Sequence, residues 1–244
     1  MYKIIIIGGP AENYIQRCLN SIINQDLEDW EACVVLDPVG DGTYEKAKEF
    51  SSDKIKVILN EERMFALPNI IRCVKELNPS DEDVLVTVDA DDWLEGPSAL
   101  TKLDDYYKRN PELLVTHGSW QQFPNRDEIT NNGAYSEIDF RKGIRKVPFR
   151  ASHLRTFKYK LWKRIKEEDL KGPDGKFYPS AWDLSFMWPL LEMAGIKRVQ
   201  YIPEVLYNYN QETPFNDAKV RLEEQCRLTD YQAGLTPYQY AEDI

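Results

Sequence analysis

Four short apolar runs in the first part of the chain limit its fold more than any other feature. Lys3–Ile7, Ala32–Leu36, Ile55–Leu59 and Val84–Val88 are almost continuously apolar. Strands buried on both faces read this way. Helical spacing fills the gaps between them. A helix from about Asn13 carries Ile15, Leu19, Ile22 and Ile23, and Tyr44–Phe50 follows the Asp41-Gly42-Thr43 turn. Leu67–Leu77 places Ile70, Val74 and Leu77 on one face. A helix near Ser98–Lys108 and a strand near Leu113–His117 complete the alternation. Repeats of this kind predict a parallel sheet with helices on both faces.

The second half is less regular. Pro124–Pro148 is polar, contains Asn131-Asn132-Gly133, and reads as a long loop or a weak hairpin. A helix is expected over Thr156–Glu168, then a turn at Gly172-Pro173-Asp174-Gly175. Trp182–Ala194 has a helical pattern that Pro189 should kink or interrupt. Two short strands, Val199–Ile202 and Val205–Tyr209, precede a mixed-charge helix near Lys219–Thr229. No repeat or linker divides the chain. Residues 1–244 are therefore read as one α/β domain, a mostly parallel central sheet flanked by helices, with halves at 1–118 and 119–244.

Composition excludes some functions. The 244 residues carry 41 Asp and Glu against 31 Lys and Arg, a net charge of −10. That balance argues against nucleic-acid binding, which needs clustered cations along phosphates. It allows a small phosphorylated ligand bridged through a metal ion. Cys18, Cys33, Cys73 and Cys226 make no CxxC pair and have only His117 and His153 beside them, which argues against structural zinc. Cys18 and Cys73 read as buried free thiols. The apolar run in MYKIIIIGGP is too short for a membrane span or a secretory signal, and no later stretch approaches a span. The expectation is a soluble, cytoplasmic protein whose oligomeric state stays open.

The fourth apolar run leads straight into Asp89-Ala90-Asp91-Asp92. Open α/β sheets bind ligands at the carboxyl ends of such strands. Three close carboxylates raise one another's pKa unless a cation lies among them, and hard oxygen ligands suit Mg2+ or Mn2+. The plainer alternative is an acidic turn in which Asp91 or Asp92 caps the next helix. Asp37 opens Asp37-Pro38-Val39-Gly40-Asp41-Gly42-Thr43, directly after the second run. Its carboxylate can bond a base or ribose, or simply close an Asx turn. Trp182-Asp183 begins a helix. There an Asp is commonly an N-cap and a Trp commonly core, but a ring beside a carboxylate also suits a sugar: the ring stacks on the pyranose and the carboxylate takes a hydroxyl proton.

Other residues have blander readings. His117 reads as a core or rim histidine. His153 starts a basic run with Arg155, Lys158 and Lys160, which either faces phosphate or is a solvated helix start. Trp93 is read as packing beneath the acidic turn, and Tyr207 and Tyr209 as packing on one strand face. Arg221, Glu223, Glu224 and Arg227 read as a solvated helix face.

In their order these parts resemble the family-2 glycosyltransferases, which have the GT-A fold, from Lys3 to about Lys219. The likeness rests on the opening strand, Ser21-Ile22-Ile23-Asn24-Gln25, Asp37, the Gly-Thr turn, the helix start with Asn69, the Asp89-Ala90-Asp91-Asp92 motif and Asp183. Ser152-His153-Leu154-Arg155-Thr156-Phe157 and Leu206-Tyr207-Asn208-Tyr209-Asn210 are similar to a bacterial or viral subgroup. The resemblance implies an inverting, metal-dependent enzyme of the kind that builds polysaccharides. It would use Mn2+ or Mg2+ to move a sugar from a UDP- or GDP-sugar to a hydroxyl of a glycan or other acceptor. It also implies roles. Asp37 would contact the base beside Pro10, Asn69 would lie on the donor side, and Asp89 near the ribose and metal. Asp91 would bind the metal on the diphosphate, and Asp183 would be the general base. Trp182 and His153 would face the acceptor, and the Pro124–Pro148 loop would close over the site.

Two departures from the family pattern bear on these roles. The usual run of two acids, Gly and Ser after the second strand is here Leu36-Asp37-Pro38-Val39-Gly40-Asp41-Gly42-Thr43, with an insertion. The Ala-Arg-Asn signature reads Ala66-Leu67-Pro68-Asn69, which moves the diphosphate-facing cation to Arg63, Arg155, Lys158 or Lys219. Asn216-Asp217-Ala218-Lys219 also lacks the C-terminal His that many GT-A enzymes place on the metal. Two other readings compete. Sugar-phosphate nucleotidyl transfer would want a basic Gly-rich loop, and Gly8-Gly9-Pro10-Ala11-Glu12 has no Lys or Arg. A non-catalytic nucleotide- or carbohydrate-binding module would not need Asp183.

Overall fold

A computed structural model describes residues 1–130, 132–213 and 221–244. The first half alternates as the apolar runs require. It comprises β1 (Tyr2–Gly8), α1 (Ile15–Ile23), β2 (Trp30–Leu36), α2 (Thr43–Lys48), β3 (Ile55–Leu59), α3 (Ala66–Leu77) and β4 (Val84–Asp89). A two-residue strand β5 (Trp93–Leu94), α4 (Ala99–Arg109) and β6 (Val115–Phe123) follow. The rest is β7 (Ile129–Thr130), α5 (Glu137–Lys142), β8 (Arg155–Lys158), α6 (Tyr159–Trp162), α7 (Trp182–Ala194), β9 (Val199–Asn210) and α8 (Leu222–Ala233).

Among the described residues these strands form one sheet in the order β3-β2-β1-β4-β8-β6-β9-β5, with β7 on β6. The first four in that order are parallel. Beyond β4 the sheet is mixed: β8 runs antiparallel to β4 and β6, β9 parallel to β6, and β5 antiparallel to β9. The parallel part is therefore the N-terminal block. Along it, alternate residues face opposite layers. Ile5, Ile7, Cys33 and Val35 pack in the core built with α3 and α7. Ile4, Ile6, Val34 and Leu36 pack in the core built with α1 and α4.

The second half departs from the sequence reading in specific places. Residues 155–158 are a strand, not the start of a Thr156–Glu168 helix. Two flanking strands, β4 and β6, both offer pairing partners there, and Thr156 and Phe157 fit a pleated surface. The two short strands after Val199 are one, and partner registers shift between Gly118 and Trp120, so that Pro203, Glu204 and Leu206 are skipped. The Pro124–Pro148 segment contains α5, started by a capping box between Ser136 and Asp139. It is also tied down: Tyr135 and Ile144 are buried, and the Tyr135 hydroxyl accepts from Arg150 N at 2.7 Å. α7 runs on through Pro189, with every residue from Leu184 to Leu191 buried, so packing holds it together without the missing bond. The last helix starts at Leu222, and Lys219 lies outside the described residues.

Candidate active site

The carboxyl ends of β1, β2 and β4 open on a cleft of about 410 Å3. The N-terminal half lines it with the Gly8–Ala11 loop, Asp37, Arg63, Phe65 and the acidic turn. The second half contributes Trp120, residues 152, 153 and 155, Trp182 and Asp183. Gly8 permits the close approach of β1 to the acidic turn, because a Cβ there would overlap the Cβ of Ala90.

The acidic turn is anchored by its last member. Asp92 is 1 % exposed; its Oδ2 accepts from the Tyr207 hydroxyl at 2.7 Å and its Oδ1 from Asn210 N at 2.7 Å. The Tyr207 oxygen in turn accepts from Asp89 N at 3.1 Å. Burial first, then Asp91 and Asp89, pushes the Asp92 carboxyl well above the usual carboxylate range. Burial also raises Asp91, against a hydrogen bond from Thr213. A cation would relieve both strains, and this all-oxygen donor set fits a hard divalent ion. Asp89, Asp91 and Asp92 all line the cleft, Asp92 being the most buried of the three.

Ligand atoms of Asp89, Asp92 and His153 lie within 4.8 Å of one another. The histidine is nonetheless engaged. Its Nε2 faces Arg155 Nη2 at 2.9 Å, and an arginine can only donate, so the ring proton belongs on Nδ1. Nδ1 is buried without a hydrogen-bond partner among the described residues. The ring stacks on Tyr207 with centroids 4.4 Å apart and planes at 11°. Burial, and then Arg155, holds its pKa well below the ordinary value. As placed, His153 is a neutral neighbour of the carboxylates.

Asp37 is 6 % exposed and heavily bonded. Its Oδ1 accepts from Asn60 Nδ2 (2.8 Å), Met64 N (3.0 Å) and Asn69 Nδ2 (3.1 Å), and its Oδ2 from Phe65 N (2.9 Å). These bonds hold Phe65 at φ 66°, ψ −175°, a region that costs a residue with a side chain about 1–3 kcal/mol. The Phe65 ring lies 4.6 Å from the Arg63 guanidinium and 5.2 Å from that of Arg221. Asp37 and Asn69 thus shape one wall of the cleft as well as lining it.

The opposite wall holds Asp183 in the first turn of α7. Its Oδ1 accepts from Leu184 N at 3.1 Å, and its Oδ2 lies 3.5 Å from Arg155 Nη2. The Arg155 guanidinium also sits 5.3 Å from the Trp182 ring centroid. A carboxylate and an aromatic face therefore share the second half of the cleft.

Most residues picked from sequence meet here: Pro10, Asp37, Arg63, Asn69, Asp89, Asp91, His153, Arg155, Trp182 and Asp183 all line the cleft. Lys158 does not. β8 is antiparallel to β4, so Lys158 pairs with Val84 at the far end of the strand and binds Glu82 at 2.5 Å. Arg221 was expected on a solvated face but lines the cleft beside Phe65. Asn60, which no local motif marked, binds Asp37, and Tyr207, read from sequence as packing on a strand face, binds Asp92. No described helix is long and apolar enough to cross a membrane.

An open α/β sheet with acids at its strand ends facing a second, mixed half has the architecture of the GT-A fold. The family model for glycosyl transferase family 2 matches residues 4–170, and the chain belongs to that family. It is 33 % identical over 92 residues to Glycosyltransferase GlyA of Streptococcus pneumoniae serotype 4, a match covering 38 % of this chain and 13 % of GlyA. The S. aureus TarS 1–349 structure in complex with UDP superimposes with a TM-score of 0.67 at 18 % identity, covering 95 % of this chain and 64 % of TarS 1–349. The complex with UDP-GlcNAc gives 0.69 at 17 % identity, covering 95 % and 66 %. The chain thus spans less than two thirds of these relatives.

Proposed function

We propose that the chain transfers a sugar from a nucleoside-diphosphate sugar, such as a UDP- or GDP-sugar, to a hydroxyl acceptor with inversion. The observation that carries this reading is the meeting of Asp37, the 89–92 acids and Asp183 in one cleft at the strand carboxyl ends. Family membership and the UDP and UDP-GlcNAc in the TarS structures support it.

In this reading the Gly8–Ala11 loop and the wall shaped by Asp37 receive the base and ribose. Arg63 and Arg221 supply positive charge near the donor. Asp89 and Asp91, beside the buried Asp92, would hold Mn2+ or Mg2+, which when bound supplies the charge that stabilises a diphosphate leaving group. Asp183 takes the proton of the acceptor hydroxyl as that oxygen attacks the anomeric carbon from the face opposite the diphosphate. The C–O bond to the diphosphate breaks as the new glycosidic bond forms. Arg155 holds the Asp183 carboxylate in place, and Trp182 offers a ring face to the acceptor sugar.

A nucleotide-sugar panel screened by thermal shift with Mn2+, followed by turnover of each ligand that binds, tests the reading. At least one UDP- or GDP-sugar should raise the melting temperature and release its nucleoside diphosphate. No shift with any nucleotide sugar would remove the donor site, and binding without turnover would reduce the chain to a binding module.

A further inference from the structure

Helix α8 reaches the turn in front of Asp183 through the Gln232 side chain. Gln232 is 1 % exposed, and its Nε2 donates to the Ala181 carbonyl at 3.0 Å. Ala181 immediately precedes Trp182 and Asp183 and is left-handed, at φ 50° and ψ 27°. The other amide atom, Oε1 of Gln232, is buried without a hydrogen-bond partner. The backbone carbonyl of the same residue accepts from Arg145 Nη1 at 2.9 Å. Arg145 in turn grips Glu192 of α7 with two bonds of 2.7 and 2.8 Å, in a pair whose side chains are 6 % and 7 % exposed. Gln232 is thus tied to both ends of α7. A second brace runs from Ser180 Oγ to Glu224 Oε2 at 3.4 Å.

A left-handed alanine and an orphaned buried acceptor both lower stability. An apolar side chain on α8 would join the two helices without the orphaned acceptor. What the observed arrangement does provide is a fixed direction for the chain as it enters Trp182 and Asp183.

We propose that Gln232 is a positioning residue that aims the Asp183 carboxylate through the Ala181 carbonyl, an inference that rests on Asp183 being the general base. Gln232 does not line the cleft. Its effect on rate comes from geometry, since a catalytic group displaced by about 1 Å costs on the order of a hundredfold.

The test is a double-variant cycle with the best donor from the panel. Gln232→Met keeps the volume and removes the donor and the orphaned acceptor together, so the fold should hold. Its kcat should fall about tenfold or more while KM for the donor stays within about twofold and the urea midpoint stays close to that of the parent. In the Asp183→Asn background the same substitution should change the residual rate by less than about twofold. Ala181→Gly, which relieves the left-handed strain and loosens the turn, should show the same dependence on background. Equal losses in both backgrounds, or an unchanged kcat, overturn the proposal and leave Asp183 as the base. A near-normal rate in Asp183→Asn alone overturns the base reading, and this proposal with it.

Discussion

His117 gives an energetic test of how the second half is packed. Its ring lies on β6, 5.3 Å from the Tyr135 ring and 5.5 Å from that of Tyr201, and is 0 % exposed. Neither nitrogen has a hydrogen-bond partner among the described residues. Burial pushes its pKa from 6.5 down to about 4; the Arg150 backbone opposes this without reaching hydrogen-bond geometry, and the Arg150 charge assists. The unfolded chain therefore takes up a proton near pH 6.5 that the folded chain refuses until about pH 4. Stability is unaffected above that window and falls as the pH drops through it. One group shifted this far costs on the order of 2–3 kcal/mol at pH 4.5 and somewhat more in stronger acid. Urea unfolding of the parent and His117→Leu at about pH 7.5 and pH 4.5 measures it, because groups common to both proteins cancel in the comparison. The parent should lose on the order of 2–3 kcal/mol more than the variant between the two pH values. Equal losses would refute a neutral, unpaired ring in this core.

Two other expectations concern the cleft. Gly8→Ala should cost about 1–3 kcal/mol by urea unfolding and weaken donor binding by calorimetry, since the new Cβ must push the acidic turn away; no change in either would contradict the close approach of β1 to Ala90. Mn2+ at about a hundred times its Kd should raise stability by about 2.7 kcal/mol, with reversal by EDTA and loss in Asp89→Asn; an equal gain in Asp89→Asn would place the ion elsewhere.

The strand ends were readable because their signals are local. Four apolar runs name the parallel strands, and Asp37 and Asp89 stand directly at their ends. Asp183 was readable through its place in the order of parts. What escaped is non-local. Arg155–Lys158 carries side chains at a spacing that suits a helix, and only the open edges of β4 and β6 turn it into a strand. That change of element carries Lys158 to the far end of the sheet while leaving Arg155 in the cleft. The plainer alternative for the acidic turn had Asp91 or Asp92 capping the next helix, whereas the partners of Asp92, Tyr207 and Asn210, lie on a strand that reaches it only in three dimensions. Arg221 belongs to a mixed-charge segment with nothing to distinguish it until α8 is docked. Gln232 likewise becomes visible only through its bond to Ala181.

The central claim is that the cleft both binds a nucleotide sugar and transfers it with Asp183 as base. Comparing Asp183→Asn with the parent for donor affinity and for turnover tests it most directly. Donor affinity should stay within about threefold, and kcat should fall by about 10²–10⁴-fold. Turnover within about threefold of the parent, with affinity intact, would contradict it.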